Sequence, residues 1–286
     1  WELYAESDSG GSFLLFSQEN MDIDYPGPLG WTSHDGVADG LISFAGRHYV
    51  ETQGGYVVDE YGIYVAVLDP TDLAEEDGPS SLEWTLLPLE FNLVNNRVFE
   101  VRYDWAPDGD ALLYQDLRSG DGSIWVASDE GAYWSETKIH DGHPEQWVTT
   151  GARWSNDGTQ IALWLYGDLC TMDADGTNVV TVVEDPEDTR KFQIYIAGGF
   201  CWSPSDTHLL YKRFMIPIRN GTASYDIYRV ELTGGAGADI VNLTADVGTY
   251  LEIQVEAPCG DNLIAGAWFF GGQSVSGNAS FMKEYQ

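Results

Sequence analysis

Short alternating apolar and polar runs, broken by polar turns, recur along this chain. Three stretches superpose directly: Y-D-W-A-P-D-G-D-A-L-L-Y over 103–114, A-R-W-S-N-D-G-T-Q-I-A-L-W over 152–164 and F-C-W-S-P-S-D-T-H-L-L-Y over 200–211. In each, β-prone residues lead to a Trp, a polar turn follows, and an apolar run returns. Pro107-Asp108-Gly109 and Asn156-Asp157-Gly158 supply turn residues, of which Gly and Asn tolerate positive φ. A third strand is predicted at Ser123–Val126, Asp168–Met172 and Asp226–Val230, and a fourth at Asn178–Val183 and Asp239–Leu243. Trp105, Trp154 and Trp202 lie 49 and 48 residues apart. Four short antiparallel strands per unit at that period predict the blades of a β-propeller.

Weaker copies extend both ways. Trp31–Gly36 leads to Leu41–Phe44, with later strands at Gly62–Val67 and near Leu82–Leu89. At the far end Leu263-Ile264-Ala265 and Ser280–Lys283 fall one strand short of a blade. The segment around Phe13–Phe16 sits where a fourth strand belongs, so the N-terminal strand is expected to complete the last blade and close the ring. An open ring would leave a sheet edge exposed. The expectation is one all-β domain over 1–286 with five blades. Full blades span 27–93, 97–140, 147–184 and 195–244, and the fifth is assembled from 251–286 and 1–18. Six blades are the alternative.

The motif W-[SA]-[PN]-D-G-x-x-[IL] followed by I-[YW]-x-[MV]-x-x-[DE]-G resembles the TolB-like propeller repeat. The resemblance is sharp over Trp105–Glu130 and Trp154–Asn178, good over Trp202–Gly235, and loose at both ends. It implies a fold that is usually six-bladed and a setting that is exported or periplasmic. It also implies a role as a protein-interaction platform or as the propeller attached to a serine peptidase. These 286 residues contain no Gly-x-Ser-x-Gly nucleophile elbow.

Charge narrows the partners. Forty-six Asp and Glu stand against 13 Lys and Arg, a formal net charge of −33. Nucleic acid is disfavoured, because its phosphates are held by neutralising Lys and Arg, and anionic membrane surfaces are disfavoured likewise. No apolar run approaches the roughly 20 residues of a spanning helix, so membrane insertion is not expected. The charge suits a protein of high salt, a calcium-bathed secreted protein, or an ordinary acidic exterior. The chain opens at Trp1, which fits a secretory leader already removed. Asn220, Asn242 and Asn278 each begin an N-x-[ST] sequon, a glycan acceptor only in an exported glycoprotein. An extracellular, cell-surface or periplasmic location is expected.

Candidate chemistry is sparse. Asp173 and Asp175 alternate in a turn and could ligate calcium, the one cofactor suggested. A plain hairpin turn is the stronger reading there. The acidic loop Asp69–Asp77 reads as solvated. Asp104, Glu252 and Glu256 fall on innermost strands, where paired carboxylates could support glycoside chemistry. Trp134 and Trp147 lie outside the repeated core and are candidates to bind a glycan or a protein, whereas the repeat tryptophans are expected to pack between blades. Cys201 and Cys259 fall near neighbouring inner strands, so a disulfide is conceivable. Cys170 reads as a small buried residue. No catalytic set is assigned. The leading expectation is a non-enzymatic exported binding or assembly module, with a protein partner or self-association into a filament through an end strand. The alternative is a glycan-active enzyme using channel carboxylates.

Overall fold

A computed structural model describes residues 2–6, 12–17, 23–24, 29–33, 40–53, 55–68, 85–87, 89, 103–116, 123–131, 133–141, 152–165, 167–184, 192–217, 224–232, 239–243, 267–269 and 279–281. Among them every regular element is a β-strand. The chain divides into two compact units, Trp1–Trp147 and Val148–Gln286.

In the first unit β1 (Glu2–Glu6) pairs antiparallel with β2 (Ser12–Ser17). A five-stranded sheet follows, from β3 (Ile23–Asp24), β4 (Leu29–Ser33), β5 (Gly40–Thr52), β6 (Gly55–Leu68) and β7 (Thr85–Leu86). Both β3 and β4 pair along the long β5, which β6 and then β7 extend. Gly62 lies within β6 opposite Gly46, where a Cβ would meet Leu86 Cδ1 at 2.5 Å. The next sheet is a four-stranded meander of β8 (Tyr103–Trp105), β9 (Ala111–Asp116), β10 (Ser123–Asp129) and β11 (Trp134–His140).

The second unit repeats that meander twice. One copy runs β12 (Arg153–Trp154), β13 (Gln160–Leu165), β14 (Asp168–Asp173) and β15 (Val180–Val183). The other runs β16 (Phe192–Trp202), β17 (His208–Pro217), β18 (Ser224–Glu231) and β19 (Ile240–Asn242). A further pair, β20 (Ala267–Phe269) with β21 (Ala279–Phe281), completes the described strands. Each four-stranded sheet is a blade of propeller type, and the fold class is all-β. Ring closure is not among the described pairings, which set β2 against β1 and β21 against β20.

The repeated motif has one conformation. In these three blades the residue after the Trp donates a backbone hydrogen bond across the turn: Ala106 N to Ala111 O at 2.8 Å, Ser155 N to Gln160 O at 2.8 Å, Ser203 N to His208 O at 2.9 Å. The fourth residue after the Trp takes positive φ, 80° at Gly109, 71° at Gly158 and 55° at Asp206. Glycine adopts this region without a Cβ penalty, and Asp is among the few others that tolerate it.

Two of the repeat tryptophans, Trp105 and Trp202, tie their blade to the one before it. Trp105 is 6% exposed and donates its Nε1 proton to Ser43 Oγ at 2.8 Å, 62 residues upstream. It packs with Ile63, Leu87, Leu112, Tyr114 and Ala127. Trp202 is 5% exposed and donates to the Arg153 carbonyl at 3.2 Å. It packs with Trp164, Val182, Val183, Phe200 and Leu209.

A second aromatic position recurs at the end of the apolar run: Phe44, Tyr114, Trp164 and Tyr211, all buried. Its cross-strand partners are Tyr64, Trp125, Leu169 and Tyr228. Phe44 stacks on Tyr64 at 5.3 Å between centroids and Tyr211 on Tyr228 at 5.5 Å. Where Leu169 replaces the aromatic partner, Phe200 of the next blade meets Trp164 edge-on at 5.7 Å. Such pairs add to area burial.

Burial pushes the Tyr211 phenol up to about 12, opposed in part by the Arg213 guanidinium. A raised folded value means the contribution is complete below the ordinary tyrosine value of about 10 and is lost as pH rises from there through about 12. Unfolding free energy should therefore fall over that alkaline interval. Tyr211→Phe should flatten this fall, as measured by urea titration at stepped pH.

Candidate functional site

The two hairpin turns of a blade, between its first and second and its third and fourth strands, share one end and are hydrogen-bonded to each other. Ala174 N donates to Thr159 O at 3.0 Å and Asp129 N to Asp110 O at 2.9 Å. Carboxylates gather at this end because several of these turns use one as an internal acceptor. Asp157 Oδ1 accepts from Thr159 N, Thr159 Oγ1 and Ser155 Oγ at 2.8–2.9 Å. Asp175 Oδ1 accepts from Thr177 N at 2.9 Å and Thr177 Oγ1 at 2.6 Å. Asp129 Oδ1 accepts from Gly131 N at 2.7 Å.

These bonds favour the ionised forms. The Thr159 backbone N–H, then the Thr159 and Ser155 hydroxyls, hold Asp157 below the usual carboxylate range. The Thr177 hydroxyl, then its backbone N–H, do the same for Asp175. Depressed folded values contribute stability above the ordinary carboxylate value, and it is lost as pH falls through the folded one. Both groups face water, so the contribution is screened.

Asp206 joins two blades. It stands where the other repeats carry glycine, and its carboxylate reaches the turn of the preceding blade. Oδ1 accepts from Asn156 N at 2.9 Å and Asn156 Nδ2 at 2.6 Å, and Oδ2 from Asp157 N at 2.9 Å. Asn156 Nδ2 also donates to the Ser203 carbonyl at 2.7 Å. Asp206→Gly relieves the positive φ but removes three charge-assisted bonds. The loss should win, lowering unfolding free energy by about 1–2 kcal/mol. Asp206→Asn keeps one acceptor oxygen and should lose less than half of that in the same urea titration.

The sequence candidates are dispersed over this framework. Asp173 and Asp175 lie in the turn between β14 and β15, where Asp173 Oδ2 accepts from Asn178 Nδ2 at 2.6 Å. Among the described residues no group of three His, Cys, Asp or Glu is placed to hold a metal ion. Trp134 opens β11 and meets Trp105 edge-on at 6.0 Å, packed against the core rather than standing free. On the same strand Glu136 accepts a hydrogen bond from the Tyr114 hydroxyl. Asp104 sits half-buried on β8, in register with Leu113. Asn242 closes β19, and its Nδ2 donates to the Tyr228 hydroxyl at 3.2 Å. Trp147, Glu252, Glu256, Asn220, Asn278, the loop 69–77 and Cys259 lie outside the described residues. Cys201 is disulfide-bonded. Cys170 is a buried free thiol, pushed up by burial.

The sequence reading missed a recurrent surface feature. Among the described residues the exposed large apolar ones are Val67, Tyr133, Val179, Val180, Ile240 and Val241. All fall where the third strand of a blade gives way to the fourth. The available signal was an apolar pair directly after an acidic turn, as in Asn178-Val179-Val180 and Asp239-Ile240-Val241.

No protein-family model matches this chain, and no curated protein matches it. Solved structures similar to it include β-propeller proteins. A putative TolB from Agrobacterium tumefaciens is 14% identical, with a TM-score of 0.48, over 85% of this chain and 73% of its own. A structure from a study of two prolyl endopeptidases is 14% identical, with a TM-score of 0.49, over 99% of this chain. This chain spans 46% of that protein's length. A chain of the nidogen/laminin complex is 12% identical, with a TM-score of 0.41, over 77% of this chain and 76% of its own. Among the described residues no helix is long and apolar enough to cross a membrane.

Proposed function

We propose that this protein is an exported, non-catalytic binding or assembly module whose partner is another protein. The observation that carries the reading is the bonded state of Cys201. A disulfide persists in secreted, periplasmic and cell-surface settings and is rare in a reducing cytosol. The described carboxylates support the binding half: Asp129, Asp157, Asp175 and Asp206 are engaged in closing turns and joining blades. An all-β scaffold with exposed turns suits recognition.

A screen of the purified chain against a panel of polysaccharides tests it. No turnover is expected, and hydrolysis or elimination abolished by Asp104→Asn would overturn the reading in favour of a glycan-active enzyme. Calcium belongs to the same test. Sedimentation with and without millimolar calcium should be unchanged if Asp173 and Asp175 only close a turn, and should shift if they ligate the ion.

A further inference from the structure

The six exposed apolar residues are individually unremarkable, since much of any protein surface is apolar. Their placement is not. Val67 lies one residue before the end of β6, Tyr133 directly before β11, Val179 and Val180 at the entry to β15, and Ile240 and Val241 at the entry to β19. Four blades thus expose apolar side chains at the same corner. Carboxylates share that corner: Asp129 and Glu130 beside Tyr133, Asp173 and Asp175 beside Val179, and Asp239 beside Ile240.

The second unit shows what the corner offers. Among the described residues β15 is the terminal strand of its sheet, and the outer edge of such a strand presents backbone donors and acceptors to an incoming strand. Proteins ordinarily blunt such an edge with Lys or Pro. From Thr177 to Val183 there is neither, and four of the seven residues are valine. Val182 and Val183 are buried in the core, which fixes the inner half of the strand and leaves Val179 and Val180 outside. A second copy of the chain would bring another −33 of charge to the same acidic turn, which charge repulsion opposes.

We propose that the outer edge of β15 is a docking site for an extended cationic segment of a partner protein, added as a further strand, with its β-branched side chains against Val180 and its Lys or Arg residues beside Asp173 and Asp175. This rests on the binding-module reading and names the surface and the chemistry of its partner. Backbone pairing supplies affinity in such strand addition, and side-chain alternation supplies selectivity. Asp175 is held ionised by Thr177 and is fully exposed, so it stays available to a cation at neutral pH.

The test uses the full chain and a ten-residue peptide alternating Lys and Val. Controls alternate Glu with Val and Lys with Gly. The Lys/Val peptide is expected to bind, to slow amide hydrogen exchange over 179–183, and to weaken as NaCl is raised. Val180→Lys should lower its affinity at least tenfold and Asp175→Asn about threefold. Val180 is exposed, so Val180→Lys should unfold at the wild-type urea midpoint, and Asp175→Asn keeps an acceptor oxygen for Thr177, so its midpoint should fall only slightly. Absence of Lys/Val binding, equal binding of the Lys/Gly peptide, or unchanged binding by Val180→Lys overturns the site. Self-association at raised NaCl that Val180→Lys abolishes also overturns it, in favour of a second copy. These outcomes leave the binding-module reading standing, whereas polysaccharide turnover removes that reading whatever the peptide does.

Discussion

Trp202→Ala should lower the unfolding free energy by about 3–5 kcal/mol, the range for truncating a buried Trp. Urea titration followed by far-UV circular dichroism would measure it. The cost combines lost apolar transfer with a cavity that rigid strands on both sides cannot refill. Trp202 is set between Trp164, Val182 and Val183 of one blade and Phe200 and Leu209 of its own, so its loss weakens an interface as well as a sheet. In repeat architectures such interfaces between neighbours contribute much of the stability. Trp202→Phe separates the two roles. It keeps most of the apolar bulk but removes the donor to Arg153 O, which costs about 0.5–1.5 kcal/mol for the bond. A cost for the alanine variant below that of the phenylalanine variant would show that Trp202 does not join the blades.

The blade motif is legible because its turn is short and local. A Trp, a turn residue with positive φ and an apolar return are all encoded within a dozen residues, and they recur at Trp105, Trp154 and Trp202. The inter-blade part is less legible. Trp105 reaches Ser43 across 62 residues, and nothing near Ser43 in the sequence marks it as an acceptor. Asp206 is a clearer case. Read within its own repeat it is an imperfect Asp-Gly turn. Its function is visible only when the neighbouring turn supplies the N–H groups of Asn156 and Asp157. Trp134 is a further case. Outside the repeated core it read as a ligand candidate, and its partly buried ring on β11 meets Trp105 edge-on, a contact no local motif encodes. The apolar corners escaped notice because valine at a strand entry is the ordinary β pattern. Exposure depends on the sheet ending there, a fact of topology rather than of local sequence.

Cys201→Ser should cost about 2–5 kcal/mol, and reducing the wild-type chain should reproduce most of that loss. Cys170 is free, so Cys259 is the remaining cysteine of the chain and the intrachain partner we expect for Cys201. The closed loop would span 259 − 201 = 58 residues, for which the loss of chain entropy in the unfolded state amounts to roughly 4 kcal/mol. A peptide map under non-reducing conditions should recover the linked 201–259 fragment pair, and Cys170 should resist alkylation until the protein unfolds. Strand alternation gives this bond a distinct place. Phe200 and Trp202 pair with Tyr211 and Leu209 on the core face of β16, while Cys201 pairs with Leu210 and points the other way. One face of the blade is therefore held by apolar packing to the preceding blade, and the other carries the bonded Cys201. A free Cys201 in protein purified from an oxidising compartment would remove this bond, and with it the main support for export.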